Sequence, residues 1–285
     1  MQRLSSQVRC ASNIPHSFPP HNPSLVRDEF LRPLDTSQLE NLDIALKQHR
    51  KPENVSDWIA HRTVKAMRVV ADAFFRKRYL HRAVTLETVA AVPGMVAGMH
   101  RHLHSLRWMR HDGGWISHLL AEAENERMHL LTWMRVTNPT LLERGLIFAV
   151  QGGFFSVYFL LYLFAPKTAH RVVGYLEEEA IVSYTQMLQE IDNGNIPNLP
   201  APQIAIDYWN MRKDATLRDV TLAVRADEAM HRDTNHDFAD RLLSGQENLR
   251  VASGHSPQWT TAQPDDAAAA SNASSPSGHT GIKHA

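Results

Sequence analysis

The chain has 285 residues, of which 43% are hydrophobic, so one or two domains with a substantial buried core are expected. Its 30 Lys and Arg balance its 30 Asp and Glu, and this zero net charge gives no reason to expect nucleic acid as a partner. The single cysteine, Cys10, excludes a disulfide framework and a Cys-ligated zinc or iron–sulfur site, so any metal must use His and carboxylate ligands.

The N-terminal residues 1–55 are predicted to form an extended arm, because six prolines interrupt them and they show little periodicity. Residues 1–27 contain three arginines and several serines but no acidic residue, which is typical of a mitochondrial presequence. No apolar stretch follows the first charges, so a secretory signal is not expected. A presequence and a plain unstructured N-terminus both stay open on this composition.

Residues 56–245 are predicted to form a helical domain, because apolar residues recur at helical spacing and no segment alternates as strands do. Pro93 predicts a kink in the second helix, and a short extra helix is expected around Tyr208 and Trp209. The six main helices are expected at about 57–78, 85–110, 115–136, 140–164, 169–191 and 217–243. Residues 246–285 are rich in Ala, Ser, Pro, Gly and Asp, so a disordered tail is predicted.

The fourth segment carries no charged residue between Gly145 and Pro166, and basic residues flank it. Its length is sufficient for a transmembrane helix, which needs about 20 apolar residues. However, Gln151 and two glycines interrupt it, and no second segment of similar character could pair with it. An apolar helix lying in the membrane interface of a monotopic protein is the other interpretation, and composition alone leaves both open.

Two copies of a Glu-x-x-His motif are the strongest chemical signal: Glu126 precedes His129, and Glu228 precedes His231. Residues three apart share a helix face, so each motif aims a carboxylate and an imidazole at one point. Two such helices, with one Glu from each of two others, form the ligand set of ferritin-like di-iron bundles. Glu87 is a candidate for one of these, because a charge in its apolar surroundings is costly unless it is paired or bound to a metal.

Helical spacing selects the fourth carboxylate from the acidic run at 177–179. His170, Glu177 and Tyr184 follow one another at seven-residue intervals and share one stripe, so Glu177 is predicted to face inward. Other residues predicted on the inward faces are Leu119, Glu122 and Trp133 of the third helix and Val224 and Asn235 of the sixth. Carboxylate oxygens suit iron and can bridge two ions. The pattern therefore indicates a dinuclear metal site, without separating an oxidase from an iron store, a hydroxylase or a manganese catalase.

Four blocks of the sequence, in order, resemble the signature blocks of the alternative oxidases. They are residues 86–95 (LETVAAVPGM), 124–130 (ENERMHL), 175–180 (YLEEEA) and 225–233 (RADEAMHRD). The resemblance extends from about Trp58 to Asp240, most of the chain between the predicted arm and tail. It implies an all-α fold: a ferritin-like four-helix bundle with a di-iron core, plus two additional apolar helices forming a membrane-facing surface.

The resemblance also implies which residues bind metal and substrate. Two iron ions would be held by Glu87, Glu126, His129, Glu177, Glu228 and His231, with Glu126 and Glu228 as bridges. Quinol binding would involve Arg82 and His170, with a pocket lined by Leu86, Leu176, Glu179 and Ala180. A redox-active tyrosine matches Tyr184. Residues around the metal would be Asn125, Asp227, Tyr208 and Trp209, although plain core packing is the alternative for the last two.

The function implied by the resemblance is that of a cyanide-insensitive terminal oxidase, which couples ubiquinol oxidation to four-electron reduction of O2 to water without proton pumping. The protein would be a monotopic homodimer on the matrix side of the mitochondrial inner membrane, or on a bacterial inner membrane. Two other functions stay open: a di-iron hydroxylase acting on a quinone ring, and a non-catalytic membrane protein with chance Glu-x-x-His pairs. Cys10 lies in the predicted presequence, so no regulatory thiol of the plant kind is expected.

Overall fold

The computed structural model describes residues 36–42, 44–46 and 49–249. The predicted presequence, Cys10, most of the predicted arm and the tail from residue 250 lie outside these ranges. Within them the chain forms nine α-helices and no strand. Their bounds are α1 Thr36–Asn41, α2 Val55–Phe75, α3 Tyr79–Ala90, α4 Val92–Trp108, α5 Trp115–Val136, α6 Leu141–Phe164, α7 Pro166–Asp192, α8 Gln203–Tyr208 and α9 Leu217–Ser244.

Local capping signals set several helix boundaries. Thr140 precedes α6 and Thr216 precedes α9, each with a capping box that satisfies the free N–H groups of the first turn. Gly114, at φ 100°, turns the chain into α5, and Gly245, at φ 71°, ends α9 in the left-handed conformation. Because these signals are local, the predicted bounds of α5, α6 and α9 agree with the observed ones to within one residue.

The second predicted helix is two helices, α3 and α4, and not one kinked helix. Ala91 separates them, and Pro93 lies in the first turn of α4. Proline has no N–H to donate and its ring clashes with the preceding turn, so the helix stops and restarts there. Glycine is needed at position 94, because a Cβ there would lie 2.5 Å from the carbonyl oxygen of Leu119 at the close contact between α4 and α5.

Helices α3, α5, α7 and α9 form the central bundle, and α4 continues along α5. One apolar cluster of the interior includes Trp133 and Trp209, and another includes Trp115 and Phe238. Helices α7 and α9 approach closely at Gly174, where a Cβ would lie 2.6 Å from an imidazole ring of α9. The predicted all-α fold, a helical bundle around buried Glu and His side chains, is confirmed.

Helices α2 and α6 lie at the outside and leave large apolar side chains exposed. Of the helices in the described ranges, α6 alone has the length and the apolar composition to cross a membrane. Only 11% of its most apolar 18-residue stretch is buried. The exposed side chains of α6 include Phe148, Phe155, Leu160 and Phe164, and those of α2 include Trp58, Ile59, Val69 and Val70. Two apolar helices outside the bundle match the predicted architecture.

The described part of the N-terminal arm is not extended throughout, since it contains the short helix α1. Polar contacts with α7 and α9 hold it to the bundle. The backbone N–H of Arg50 donates to Oε1 of Glu178 at 2.9 Å, and Arg232 donates to the carbonyl of Ile44 at 3.0 Å. Glu178, the middle residue of the acidic run at 177–179, therefore contacts the arm and does not face the centre of the bundle.

Candidate metal centre

Four buried side chains from three helices converge in the bundle. Glu87 comes from α3, Glu126 and His129 come from α5, and Glu228 comes from α9. One ligand atom of each lies within 4.8 Å of the others. The three-residue spacing places the carboxylate and the imidazole of α5 on one face, as helical geometry requires. Carboxylate oxygens and an imidazole nitrogen at these separations could hold a metal ion.

His129 lies among the carboxylates. Its Nδ1 is 3.3 Å from Oε2 of Glu126, 3.4 Å from Oε1 of Glu228 and 3.8 Å from Oε2 of Glu87. His231, from the second motif, has its Nδ1 2.6 Å from Oε1 of Glu126. Glu126 thus has one histidine at each of its two oxygens, an arrangement in which one carboxylate could bridge two ions.

Glu177 of α7 lies beside this group but is not part of the tight set. Its side chain is half-buried. Burial, and then the charge of Glu126, raises the pKa of Glu177 to about 8, while its interaction with Glu228 opposes that rise. The structure therefore brings Glu177 next to both Glu-x-x-His motifs, whereas its neighbour Glu178 contacts the arm.

The carboxyl groups of the centre perturb one another because water is excluded. Burial, and then the charge of Glu126, raises the pKa of Glu87, and burial together with neighbouring carboxylates raises the pKa of Glu228. The pKa of Glu126 is lowered, since the charges of the two histidines outweigh the burial that would raise it. Divalent cations stabilise such a concentration of buried negative charge.

Six candidate ligand atoms at the centre have no hydrogen-bond partner within the described ranges. They are Oε2 of Glu87, both carboxylate oxygens of Glu126, Nδ1 of His129 and both ring nitrogens of His231. Nδ1 of His231 and Oε1 of Glu126 are close, yet they are not aligned as donor and acceptor. Buried polar atoms are almost always paired, so a cluster of unpaired ones is typical of residues that bind a ligand. The oxygen and imidazole donors fit a pair of iron ions.

Asp227 supports the centre from outside. Its Oδ2 accepts hydrogen bonds from Nε2 of His129 at 3.2 Å, from Nε1 of Trp209 at 2.9 Å and from Nδ2 of Asn125 at 3.1 Å. Asn125 also donates to the hydroxyl of Tyr208 at 2.9 Å. A carboxylate at one nitrogen of a histidine fixes the tautomer and leaves the other nitrogen for a metal. Trp209 and Tyr208 therefore have polar partners in addition to their packing.

Tyr184 joins the centre to a second aromatic residue. Its hydroxyl donates to Oε1 of Glu87 in a short hydrogen bond and accepts one from Nε1 of Trp133 at 3.0 Å. Burial raises the pKa of Tyr184 well above its ordinary value, so the phenol stays protonated. The phenol therefore connects a carboxylate of the centre to the indole of Trp133.

The sequence of the chain matches one family of known proteins. The family model described as alternative oxidase matches residues 35–240. "Ubiquinol oxidase, mitochondrial" of Batrachochytrium dendrobatidis is 66% identical over 232 residues, which are 81% of this chain and 73% of that protein. "Ubiquinol oxidase 2, mitochondrial" of Nicotiana tabacum is 58% identical over 216 residues, 76% of this chain and 72% of that protein. The chain belongs to the alternative oxidase family.

This alternative oxidase has a pocket that reaches its candidate metal centre. Tyr184 and Glu87 both line the pocket, so a candidate iron ligand borders it directly. The other lining residues are Tyr79, Arg82, Ala83, Leu86, Ala180, Ser183 and Met187. Three of the six residues expected at the quinol site, Arg82, Leu86 and Ala180, are therefore brought together. A larger surface hollow between Thr36 and Arg212 contains none of them.

Glu179, a fourth residue expected at the quinol site of the alternative oxidase, is linked to the pocket through ion pairs. Its carboxylate lies 3.1 Å from Nη1 of Arg68 on α2. Arg68 in turn pairs with Asp72 at 2.8 Å, and Asp72 pairs with Arg82 of the pocket. This chain of charges couples Glu179 to the position of Arg82 without placing Glu179 in the pocket wall.

The last two residues expected at the quinol site of the alternative oxidase lie elsewhere. Leu176 packs against the apolar side of α2. His170 is only 1% exposed, and it contacts Tyr162 and Asn235 instead of lining the pocket. The structure therefore does not gather all six expected residues in one cavity.

Some residues near the centre of this alternative oxidase had no role assigned from sequence. Glu122 is buried on the inward face of α5, as the helical spacing predicted, but the sequence did not indicate which residue it contacts. Ser183 and Met187 follow Ala180 at i+3 and i+7, so helical spacing could have placed them at the pocket. Tyr79 and Ala83 gave no signal, because their helix begins earlier than its sequence pattern indicated.

Proposed function

We propose that this chain is a ubiquinol:oxygen oxidoreductase, a non-electrogenic alternative oxidase. The observation that carries the proposal is the buried group of carboxylates and histidines at the wall of a pocket. Its relatives are named ubiquinol oxidases, which supports the same substrate here. In the proposed reaction, two ubiquinols give four electrons to O2, which becomes two waters, and no proton is pumped.

Two iron ions are the proposed cofactor. The proposed ligands are Glu87, Glu126, His129, Glu177, Glu228 and His231. When bound, iron would pass electrons from ubiquinol to O2 and offer the open coordination positions that this reduction requires. The chain itself holds the ligands in a buried site, and Asp227 orients one imidazole from outside. Glu126 is a proposed bridge because each of its oxygens faces a histidine, and Glu228 is the other.

Ubiquinol is proposed to bind in the pocket beside the metal centre. Arg82, held by Asp72, can donate a hydrogen bond to a quinol oxygen, while Leu86 and Ala180 offer apolar contact to the ring. Tyr184 and Glu87 both border the pocket, so a bound quinol would contact a proposed metal ligand and the tyrosine that donates to it. Leu176 and Glu179 are proposed to act on the quinol site indirectly, through packing and ion pairs, whereas His170, which does not line the pocket, is proposed to act through its contact with Asn235.

The proposed location is the matrix side of the mitochondrial inner membrane, with a bacterial inner membrane as the alternative. The exposed apolar side chains of α2 and α6 support a monotopic attachment that places the pocket close to a lipid-soluble substrate. The names of the relatives include the word mitochondrial, which supports the organelle.

A homodimer is proposed as the assembled form. Helix α4 exposes Met95, Met99, Leu103 and Leu106 at intervals of three and four residues, which is one continuous apolar stripe. An unpartnered apolar stripe on a helix outside the proposed membrane face is suited to packing against a second copy.

The experiment that tests the function measures iron and activity on the same purified sample. We expect close to two irons per chain and O2 uptake that depends on added ubiquinol and resists cyanide. Chromatography of the quinone distinguishes the oxidase from a quinone-ring hydroxylase, because only a hydroxylase adds oxygen to the ring. Vesicles carrying a pH dye test for pumping, and no internal pH change is expected during turnover.

Three outcomes would contradict the proposal. An iron content near zero in a folded sample would favour the non-catalytic interpretation. Oxygen incorporated into the quinone would favour the hydroxylase. Ubiquinol oxidation abolished by cyanide would indicate a contaminating haem oxidase as the source of the activity.

A further inference from the structure

A buried polar network around Asn235 of α9 has no role in the metal site or the pocket. Asn235 is 1% exposed and joins three helices. Its Nδ2 donates to Oε1 of Glu122 on α5 at 2.8 Å and to the backbone carbonyl of His231 at 3.0 Å. Its Oδ1 lies 2.9 Å from Nδ1 of His170 on α7. Every strong donor and acceptor of the side-chain amide is directed at a specific partner.

The two oxygens beside Nδ2 decide the orientation of the Asn235 amide. If the amide were turned over, its oxygen would face two acceptors and both hydrogen bonds would be lost. Oδ1 must therefore accept a hydrogen bond from His170, which carries its proton on Nδ1. Nε2 of His170 then offers its lone pair to the hydroxyl of Tyr162, 3.2 Å away. One asparagine thus fixes the tautomer of a buried histidine.

Glu122 is the second side chain that Asn235 holds. It is buried, and its other oxygen, Oε2, has no hydrogen-bond partner in the part of the chain that the structure describes. The same Nδ2 of Asn235 donates to Glu122 and to the backbone carbonyl of His231, which places the Glu122 carboxylate beside the turn that carries His231. Glu122 is one turn before Glu126 on the inward face of α5. A carboxylate with a free oxygen is therefore held beside the proposed iron ligands.

We propose that Asn235 is a positioning residue for the oxidase reaction. It fixes His170 with the proton on Nδ1, and it holds Glu122 with one oxygen free beside the metal centre. The inference rests on the proposed function, because these groups affect turnover only if the centre reacts with O2. None of the three residues lines the quinol pocket, so the effect is expected in kcat and not in KM.

Asn235→Asp tests the donor side of the network. Aspartate has the same shape and still accepts from His170, but it cannot donate to Glu122 and places two carboxylates against each other. We expect kcat to fall about 10- to 100-fold, with KM for ubiquinol changed by less than about twofold. Asn193→Asp, which adds the same charge at an exposed position, is the matched control and should keep the parent's kcat.

The double variant Glu122→Gln with Asn235→Asp restores the hydrogen bond with donor and acceptor exchanged. The new amide at position 122 would donate to the new carboxylate at position 235. We expect the double variant to have both a higher melting temperature and a higher kcat than Asn235→Asp alone. Recovery of both quantities by exchange of the pair identifies the hydrogen bond, and not the volume of either side chain, as the cause.

A kcat of Asn235→Asp within about twofold of the parent's, or a raised KM with unchanged kcat, would overturn the proposal. A double variant that regains melting temperature without any gain in kcat would also overturn it, because the network would then be only structural. If the unaltered protein oxidises no ubiquinol, the proposed function fails instead. The melting temperatures of the parent, Glu122→Gln, Asn235→Asp and the double variant then still test the bond, and independent, additive shifts would refute it.

Discussion

At the scale of single residues, Glu126 is the side chain on which the metal centre most depends, since His129 and His231 each meet one of its oxygens. We predict that Glu126→Ala lowers iron content and reduces ubiquinol-dependent O2 uptake by more than about 100-fold, because removal of even an outer partner costs 10- to 100-fold. Glu124→Ala is the control, since Glu124 is exposed on the same helix and pairs with Arg127. Full iron content in Glu126→Ala would contradict the assignment.

Tyr184 is the residue that connects the pocket to the centre. Tyr184→Phe removes the hydroxyl that donates to Glu87 and accepts from Trp133. We predict a fall in kcat of about 10- to 100-fold with iron content retained, measured as O2 uptake and iron per chain on the same samples. Tyr175→Phe is the control, because the Tyr175 hydroxyl is buried without a hydrogen-bond partner in the described ranges. Equal activity of the two variants would remove Tyr184 from the mechanism.

His118 makes the stability of the protein depend on pH. Burial, and then the charges of His231 and His170, lowers the pKa of His118 to about 3 from 6.5. Above pH 6.5 the imidazole of His118 is neutral in both the folded and the unfolded protein. Below pH 6.5 only the unfolded protein binds the proton, so the free energy of unfolding falls as the pH falls. The loss is about 1.4 kcal/mol per pH unit, or about 2 kcal/mol by pH 5.

We therefore predict that His118→Gln flattens the fall in unfolding free energy between pH 7 and pH 5, measured by denaturant titration. His102→Gln, at an exposed position of α4, is the control and should leave the slope unchanged. Parallel curves for the parent and His118→Gln would show that His118 is protonated in the folded state.

At the scale of elements, α6 is the helix proposed to contact the membrane. Leu160→Glu places a charge on its exposed face, where burying a leucine in lipid is worth about 1.5–3 kcal/mol. We predict that binding to phospholipid vesicles falls by at least about 10-fold, measured by co-sedimentation. Leu199→Glu is the matched control, because Leu199 is 50% exposed and Leu160 is 52% exposed. An equal loss in both variants would exclude α6 as the membrane contact.

The elements also show which boundaries a sequence can predict. The bounds of α5 and α9 were predictable because glycines and a capping box mark them locally. The division between α3 and α4 was predictable only in part: Pro93 indicated a kink, but apolar residues continue through Ala91, and the structure shows one helix ending at Ala90 and another beginning at Val92. The early start of α3 was missed, and with it Tyr79 and Ala83 of its first turns, which line the pocket.

At the scale of the whole molecule, the residues that follow α9 pack against the turn between α4 and α5. The carbonyl of Glu247 accepts from Nε1 of Trp115, and the N–H of Leu249 donates to the carbonyl of Gly113 at 3.0 Å. Arg101 pairs with the Glu247 carboxylate. Residues 245–249 therefore fasten the end of α9 to the turn between α4 and α5.

We predict that a chain ending at residue 249 melts at the same temperature as the full chain, whereas one ending at residue 244 melts several degrees lower. The shorter chain leaves the buried indole N–H of Trp115 unpaired, which costs about 1–3 kcal/mol. Differential scanning calorimetry measures both. Residues 247–249 contact the domain, so the tail would begin later than the predicted residue 246. An equal loss in both truncations would show that the residues beyond 249 also contribute to stability, against the proposal that they form a separate tail.

The sequence by itself determined the all-α class, the family and both Glu-x-x-His motifs, because helical periodicity and three-residue spacing are local properties that need no tertiary contact. It also selected Glu177 from the acidic run by its stripe. Only the tertiary structure decided that Glu178 serves the arm, that Glu179 reaches the pocket through Arg68, and that His170 contacts Asn235. Those partners lie tens to more than one hundred residues apart in the chain, and their contacts depend on how whole helices pack, which no local pattern encodes.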